Sequence, residues 1–249
     1  MSTKSKIADD IHQKEKRLNR FLNDSWIFVR DLRPSLETRA TELRKSKSKT
    51  KHEYEVPRHG KPVVSTRRDS EIGDIYRAQF ERGIFDNHIV GIVSRTEAFI
   101  QECLVAVILE YPEKLSIISE GAGIPVDLFL EHQDRNVLLE RYVASRCEGL
   151  MFGKPEEYLR KAAKVLSIEI KKETMDNYIE VKASRDIIVH NLGEINQLYL
   201  DKARKKRRGE VGDELIVDET YFREVILRVK SLADEIRRNV EKKFGPPPA

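Results

Sequence analysis

The segment 183–193 combines an apolar helical pattern with several strongly polar side chains. Arg185 is followed directly by Asp186, and His190 is followed directly by Asn191, with three branched apolar residues between the two pairs. Polar groups of this strength are costly to bury, so their presence in such a segment indicates a use for them. Arginine supplies a permanent cation, and histidine exchanges a proton near neutral pH. Together the two side chains suffice for cleavage of RNA without a metal ion.

The spacing of these residues sets a geometric condition on the site. Residues five apart lie about 140° apart around a regular helix, so Arg185 and His190 do not share a face. Asp186 and His190 are four apart and do share one, so Asp186 can orient the imidazole. For Arg185 and His190 to reach one phosphate, the helix must end or bend near His190, or a second copy must supply its arginine across a two-fold interface. Asn191 and Gly193 are compatible with the first arrangement, and a dimer would give the second.

The chain around this segment is predicted to be all-α. Aromatic residues are sparse at 7%, and prolines and glycines are few, which favours long helices over a β-sandwich. Hydrophobic periodicity predicts a helical segment at 7–44, which Pro34 is expected to break or kink, and a short hairpin at 52–66. Further helices are predicted at 69–85, at 87–111, at 126–151 after a turn at 121–125, from Pro155, at 172–192, at 195–204 and from Asp218.

The net charge of +4 is unevenly distributed along the chain. Residues 1–68 hold 18 Lys and Arg against 9 Asp and Glu, whereas the remainder holds 28 against 33. We therefore predict a basic helical arm and connector at 1–68, a helical domain at 69–244 and a disordered tail at 245–249. The basic arm is expected to contact a polyanion or an acidic partner surface, or else to be a solvated helix. Residues 44–51 alternate cations with hydroxyls, so they are either a solvated connector or a phosphate-contacting strip.

Several classes of protein are disfavoured by the sequence. Cys103 and Cys147 lie in separate apolar segments and are expected to be core thiols of a reducing compartment. No Cys and His spacing typical of zinc occurs, and His132 is isolated, so neither a metal nor another cofactor is expected. The charged N-terminus does not resemble a signal peptide, and the apolar run 103–109 is too short to span a bilayer. We expect a cytoplasmic protein with no membrane partner.

The order of residues from Arg185 to Asn191 resembles the Arg-polar-x-x-x-His signature of HEPN domains. These are all-helical domains of prokaryotic toxins, phage-defence proteins and RNA-guided effectors. The resemblance covers roughly residues 85–244, because the early long helix, the penultimate motif helix and the last helix follow the layout of the family. The amino-acid sequence around 185–200 is most similar to stand-alone HEPN proteins of the RiboL-PSP type. The first 70 to 80 residues resemble no family.

The resemblance implies a role for each polar residue of the motif. His190 would act as general base on the ribose 2′-hydroxyl or as acid on the leaving 5′-oxygen, and Arg185 would stabilise the phosphorane charge. Asp186 would orient His190 or Arg185, and Asn191 would donate to phosphate or cap the helix. The products would be a 2′,3′-cyclic phosphate and a 5′-hydroxyl, formed at a homodimer interface. In members paired with nucleotidyltransferase antitoxins a tyrosine stands two residues after the histidine, whereas here Leu192 occupies that position.

The resemblance also implies partners. The expected partners are RNA, a second copy of the chain, and an antitoxin or other defence-system protein. The alternative is a catalytically silent HEPN module that binds RNA or a partner protein without cutting. A more distant alternative is a helical scaffold in which the Arg and His motif is coincidental.

Other cations are candidates for RNA binding. A cluster near the motif helix would clamp phosphates, or else form a flexible solvated loop. Arg95 on the early helix is expected to face the motif helix and to pair with Glu97, either at the site or as a structural pair. Trp26 and Phe28 would either stack bases or pack the arm onto its own domain. The cluster comprises Lys202, Arg204, Lys205, Lys206, Arg207 and Arg208.

Overall fold

The computed structural model describes residues 3–119, 123 and 134–245. These residues form an all-α fold with one two-stranded antiparallel hairpin, which confirms the predicted fold class and the hairpin. The elements are α1 (Thr3–Lys45), β1 (Lys51–Val56), β2 (Val63–Arg68), α2 (Asp69–Ala78), a π-helical turn (Gln79–Gly83), α3 (Ile84–Glu110), a 3₁₀ turn (Pro112–Ile117), α4 (Arg135–Met151), α5 (Pro155–Leu166), α6 (Lys172–His190), α7 (Gln197–Ala203), a 3₁₀ turn (Arg204–Lys206) and α8 (Glu219–Phe244).

Helix α1 passes through Pro34 without a break, so the predicted division into two helices is wrong. Proline removes one backbone hydrogen bond and crowds the carbonyl of the residue four positions earlier, at a cost of about 3 kcal/mol. Pro34 and Arg30 are both exposed, so water can satisfy the freed carbonyl. Val29 and Leu43 are buried on either side of the proline. The packing of both halves of the helix therefore outweighs the local preference.

The predicted separation of helices at residue 86 is also wrong. The chain runs from α2 into α3 through the π-helical turn, and every residue from Asp69 to Glu110 is helical. A π-turn absorbs one extra residue inside a continuous helix, so the apolar pattern changes phase without a loop. The predicted start of α2 at residue 69 is confirmed.

Helix α3 is the centre of the core. Its residues Ile92, Val93, Ile100 and Leu104 are completely buried, and it contacts α1, α4, α5, α6 and α8. The apolar face of α1 belongs to the same core, and Trp26 stacks on Phe222 of α8 with ring centroids 6.1 Å apart. Because α6 lies between α3 and α8, its side chains are positioned by helices distant in sequence.

Most remaining helix predictions agree with the structure. The motif helix ends at His190, the short helix occupies Gln197–Ala203, and Asp218 caps the last helix by accepting from the amide of Tyr221 at 2.8 Å. The predicted helix 126–151 is described only as α4. The described residues do not include the first part of that predicted helix, which contains His132. They also leave out the tail after Gly245 and the predicted turn at 121–125, except for Gly123.

Both cysteines are buried free thiols, as predicted. Burial disfavours the thiolate, which raises the pKa of the Cys147 thiol to about 12 and raises that of Cys103 as well. Within the described part of the chain, no helix has the length and apolar character needed to cross a membrane.

Replacing Pro34 by alanine is expected to stabilise the protein. The substitution restores a backbone hydrogen bond within an exposed stretch of continuous helix, so the free energy of unfolding should rise by about 1–3 kcal/mol. Urea denaturation followed by circular dichroism measures this change. Ser35→Ala is the matched control, since it is also exposed but keeps the existing backbone bond. A P34A variant no more stable than S35A would contradict a continuous α1.

Candidate active site

A cavity of about 730 Å³ lies between α3, the junction of α4 and α5, α6 and α7. All four residues predicted to be catalytic line it, as does one cation of the predicted RNA-binding cluster. Its wall is mostly polar on the α6 side, and the α4–α5 junction adds the apolar side chains of Met151, Phe152 and Pro155 beside Lys154. The residues that line it include Glu97, Phe152, Lys182, Arg185, Asp186, His190, Asn191, Leu198 and Lys202.

The end of α6 brings His190 to the cavity. The amides of Asn191 and Gly193 both donate to the carbonyl of Ile187, at 2.9 Å in each case, and so close the last turn. Leu192 and Gly193 have φ angles of 52° and 84°, which turn the chain away from the helix axis. Of the two arrangements that the spacing allowed, the described chain has the first, because the helix ends at His190. Gly193 tolerates its conformation without strain, whereas Leu192 does not.

Arg185 is held between two carboxylates. Its Nη2 donates to Glu97 Oε2 at 3.2 Å, and its Nη1 lies 3.2 Å from Asp186 Oδ1. The side chain is 18% exposed, so these ion pairs are largely shielded from solvent. Glu97 also pairs with Lys182 Nζ, and Asp186 accepts from Lys202 Nζ at 3.0 Å. The result is a continuous chain of alternating charges along one wall of the cavity.

Asp186 and Asn191 make only some of the contacts that the motif implied. Asp186 contacts Arg185 and Lys202, and no hydrogen bond joins it to His190 within the described residues. Asn191 Nδ2 donates to the carbonyl of Glu194 at 2.6 Å, which stabilises the turn after the helix. In this structure Asp186 therefore orients the arginine, and Asn191 stabilises the helix exit.

Arg95 does not reach the cavity. It is exposed, and its guanidinium lies 5.5 Å from the ring centre of Phe21. The expected pair between Arg95 and Glu97 is wrong, because Glu97 pairs with Lys182 and Arg185 instead. Residues two apart lie about 200° apart around a helix, so the two side chains of α3 point to opposite sides. Arg95 lines a separate groove between α1 and α3.

Glu180 is an important residue near the site that the sequence did not lead us to predict. It is completely buried on α6, and its Oε1 accepts hydrogen bonds from Ser184 Oγ at 2.7 Å, Tyr221 Oη at 3.0 Å and Tyr199 Oη at 3.2 Å. Arg228 of α8 pairs with Oε2. Burial and the nearby carboxylate raise the pKa of both tyrosine hydroxyls, so both remain donors. A sequence signal existed, since a glutamate amid the apolar residues of α6 requires a partner.

The six cations predicted to form one clamp point in different directions. Lys202 lines the cavity, whereas Arg208 lies 3.5 Å from the ring centre of Tyr221 and donates to a backbone carbonyl at 3.1 Å. Three of the others, Arg204, Lys205 and Arg207, line a second cavity of about 860 Å³. Arg204 pairs with Glu156, Lys206 with Glu173 and Arg207 with Glu210, and Lys205 is exposed.

Comparison with known proteins identifies no relative: no family model, no curated protein and no solved structure matches this chain.

Neutralising Glu97 is expected to destabilise the fold strongly. Glu97→Gln leaves the buried Lys182 and the half-buried Arg185 without their shared carboxylate, which should lower the free energy of unfolding by about 3 kcal/mol. Glu102→Gln on the same helix removes an exposed pair with Arg17 and should cost at most about 1 kcal/mol. Urea denaturation of the two variants makes the comparison, and equal losses would refute the importance of the shielded ion pairs.

Proposed function

We propose that the chain is a metal-independent endoribonuclease of the HEPN type, which cleaves RNA to 2′,3′-cyclic phosphate and 5′-hydroxyl ends. One observation carries the proposal. Arg185 and His190 line a single cavity despite their separation around the helix, and α6 ends at His190. A permanent cation can stabilise charge on the phosphorane and an imidazole can transfer a proton, and transesterification of a phosphodiester uses both functions.

The proposed reaction is an in-line displacement at phosphorus. The ribose 2′-oxygen attacks the phosphorus as its proton leaves for a general base, and the bond to the 5′-oxygen breaks as that oxygen receives a proton. His190 is the last residue of α6 and lines the cavity, where its imidazole would act as the base on the 2′-hydroxyl or as the acid on the leaving 5′-oxygen. Arg185 would stabilise the charge that develops on the phosphorane oxygens, assisted by Lys202.

We also propose that a second copy of the chain covers the cavity. Phe152 and Leu198 line the cavity yet remain 85% and 60% exposed. Leu192, directly after the motif, is 93% exposed and adopts a left-handed conformation that costs a leucine about 1–2 kcal/mol. Exposed apolar side chains grouped at the rim of a polar cavity are typical of an interface. In this proposal the dimer acts in the cytoplasm as a toxin or antiviral-defence effector, restrained by an antitoxin or defence-system partner.

The second candidate is a silent HEPN module that binds RNA or a partner protein. The observation that favours it is the engagement of Arg185 by Glu97 and Asp186, which leaves the guanidinium paired rather than free. A paired arginine can still order a helix end and an interface without taking part in chemistry.

Cleavage of RNA in EDTA distinguishes the two candidates. We expect the wild-type protein to cut total RNA and leave cyclic phosphate ends, and we expect His190→Ala and Arg185→Ala each to lower the rate by about a hundredfold or more. His12→Ala is the control, since this histidine lies on α1 and pairs with Glu241 away from the cavity. Expression of the wild type in cells should be toxic, and the toxicity should disappear with H190A.

Two results would contradict the nuclease. Undiminished cutting by H190A would remove the histidine from the reaction. Binding of RNA without cutting by any of the proteins, together with harmless expression of the wild type, would instead support the silent module.

A further inference from the structure

A further concentration of positive charge lies outside the cavity, on the connector and the hairpin. Residues 44–68 contain nine lysines and arginines against two glutamates. Of these cations, only Arg44 forms an ion pair within the described residues, with Asp74 at 3.2 Å. A cationic surface that its own chain does not neutralise favours an anionic partner.

The two faces of the hairpin differ in chemistry. The register pairs His52 with Arg67, Tyr54 with Ser65, and Val56 with Val63, so these six residues form one face, called here the Tyr54 face. Both glutamates of the hairpin, Glu53 and Glu55, belong to the opposite face, together with Lys51, Val64, Thr66 and Arg68. The Tyr54 face therefore carries an aromatic ring and a cation but no carboxylate.

The base of the hairpin, where its strands join the connector and α2, is held by hydrogen bonds to one carboxylate. His52 Nε2 lies 2.6 Å from Oδ1 of Asp69, and Ser46 Oγ donates to the other oxygen of the same carboxylate. Asp69 is buried and is the first residue of α2. The connector and the first strand are thus both tied to the helix that continues into α3, and the hairpin presents its Tyr54 face in a defined position.

We propose that the Tyr54 face binds single-stranded RNA. Surfaces that bind single strands combine cations for the backbone with aromatic rings on which bases stack. Tyr54 is 45% exposed, with Arg67 toward the base of the hairpin and with Arg58 and Lys61 in the tip between the strands. A strand running along the hairpin would meet cations at both ends and the ring between them. The choice of RNA as ligand rests on the proposed function.

The hairpin and the cavity are far enough apart to demand a long RNA. Asp69 and Glu97 are 28 residues apart on one uninterrupted helical stretch, which corresponds to about 42 Å along the axis. At 3.4 Å for each stacked nucleotide, about 12 nucleotides span that distance. An RNA much shorter than this can occupy the cavity or the hairpin but not both.

Binding of RNA to variants in an H190A background tests the proposal. Fluorescence anisotropy with a 30-nucleotide single strand should show at least about fivefold weaker binding for Tyr54→Ala and Arg67→Glu. The matched controls on the opposite face are Val64→Ala and Lys51→Glu, the latter with the same change of charge as R67E. Both controls should bind more tightly than their Tyr54-face counterparts. With catalytic His190 restored, all four variants should cleave a 6-nucleotide RNA at the wild-type rate.

Three outcomes would overturn the proposal. RNA binding that is unaffected by Y54A would show that no base stacks on Tyr54. Equal losses of affinity for R67E and K51E would show that binding depends only on the overall positive charge of the hairpin. Binding of anionic lipid vesicles but not of the 30-nucleotide RNA would identify a membrane surface instead. The nuclease proposal fails separately, since a protein that cuts no RNA but binds the long strand through Tyr54 would lose only the catalytic assignment.

Discussion

The buried carboxylate of Glu180 is the interaction on which the architecture of the site depends. A charge without solvent is tolerated only when it is paired and fully hydrogen-bonded. Glu180 meets that condition by accepting from Tyr199 on α7 and Tyr221 on α8 and by pairing with Arg228. None of these partners is close to Glu180 in sequence. The carboxylate of Glu180 therefore gains its hydrogen bonds and its ion pair only when α7 and α8 pack against α6.

This anchoring explains why the C-terminal half of α6 can carry so many polar groups. Glu180 fixes the helix about 1.4 turns before Arg185, so the next turn is held in a defined orientation toward the cavity. The helix then stops at His190, through a left-handed leucine that natural sequences seldom use at an exposed position. Strained, exposed apolar residues of this kind concentrate at functional sites, where surrounding structure over-determines the conformation.

Local signals in the sequence were sufficient for much of the fold. The cap at Asp218, the stop around Gly193 and the hairpin could be predicted, because each depends on residues adjacent in the chain. Pro34 and the junction at 79–83 could not, because tertiary packing on both sides overrides the local preference for a break. The motif residues were found by their unusual polarity, and the structure groups them in one cavity.

The ion pairs between residues far apart in the chain are the part of the site that could not be predicted from the sequence. Glu97 and Arg185 are 88 positions apart, and the partner of a charged residue at such a distance is set by topology rather than by spacing. The sequence predicts one cluster for the cations of 202–208 because they are close together in the chain. A 3₁₀ turn and a positive φ of 49° at Arg204 instead send them to different sides of the chain.

The charges along the cavity wall reconcile the paired state of Arg185 with its proposed role toward phosphate. Lys182, Glu97, Arg185, Asp186 and Lys202 alternate in sign, with three cations against two carboxylates. The wall therefore retains one unit of positive charge after every pair has formed. A phosphodiester carries one negative charge, so it matches this excess without requiring any carboxylate to lose all its partners. Ion pairs that hold the guanidinium in place lower the cost of ordering it, and preorganised cations of this kind are the ones that stabilise a developing charge most effectively.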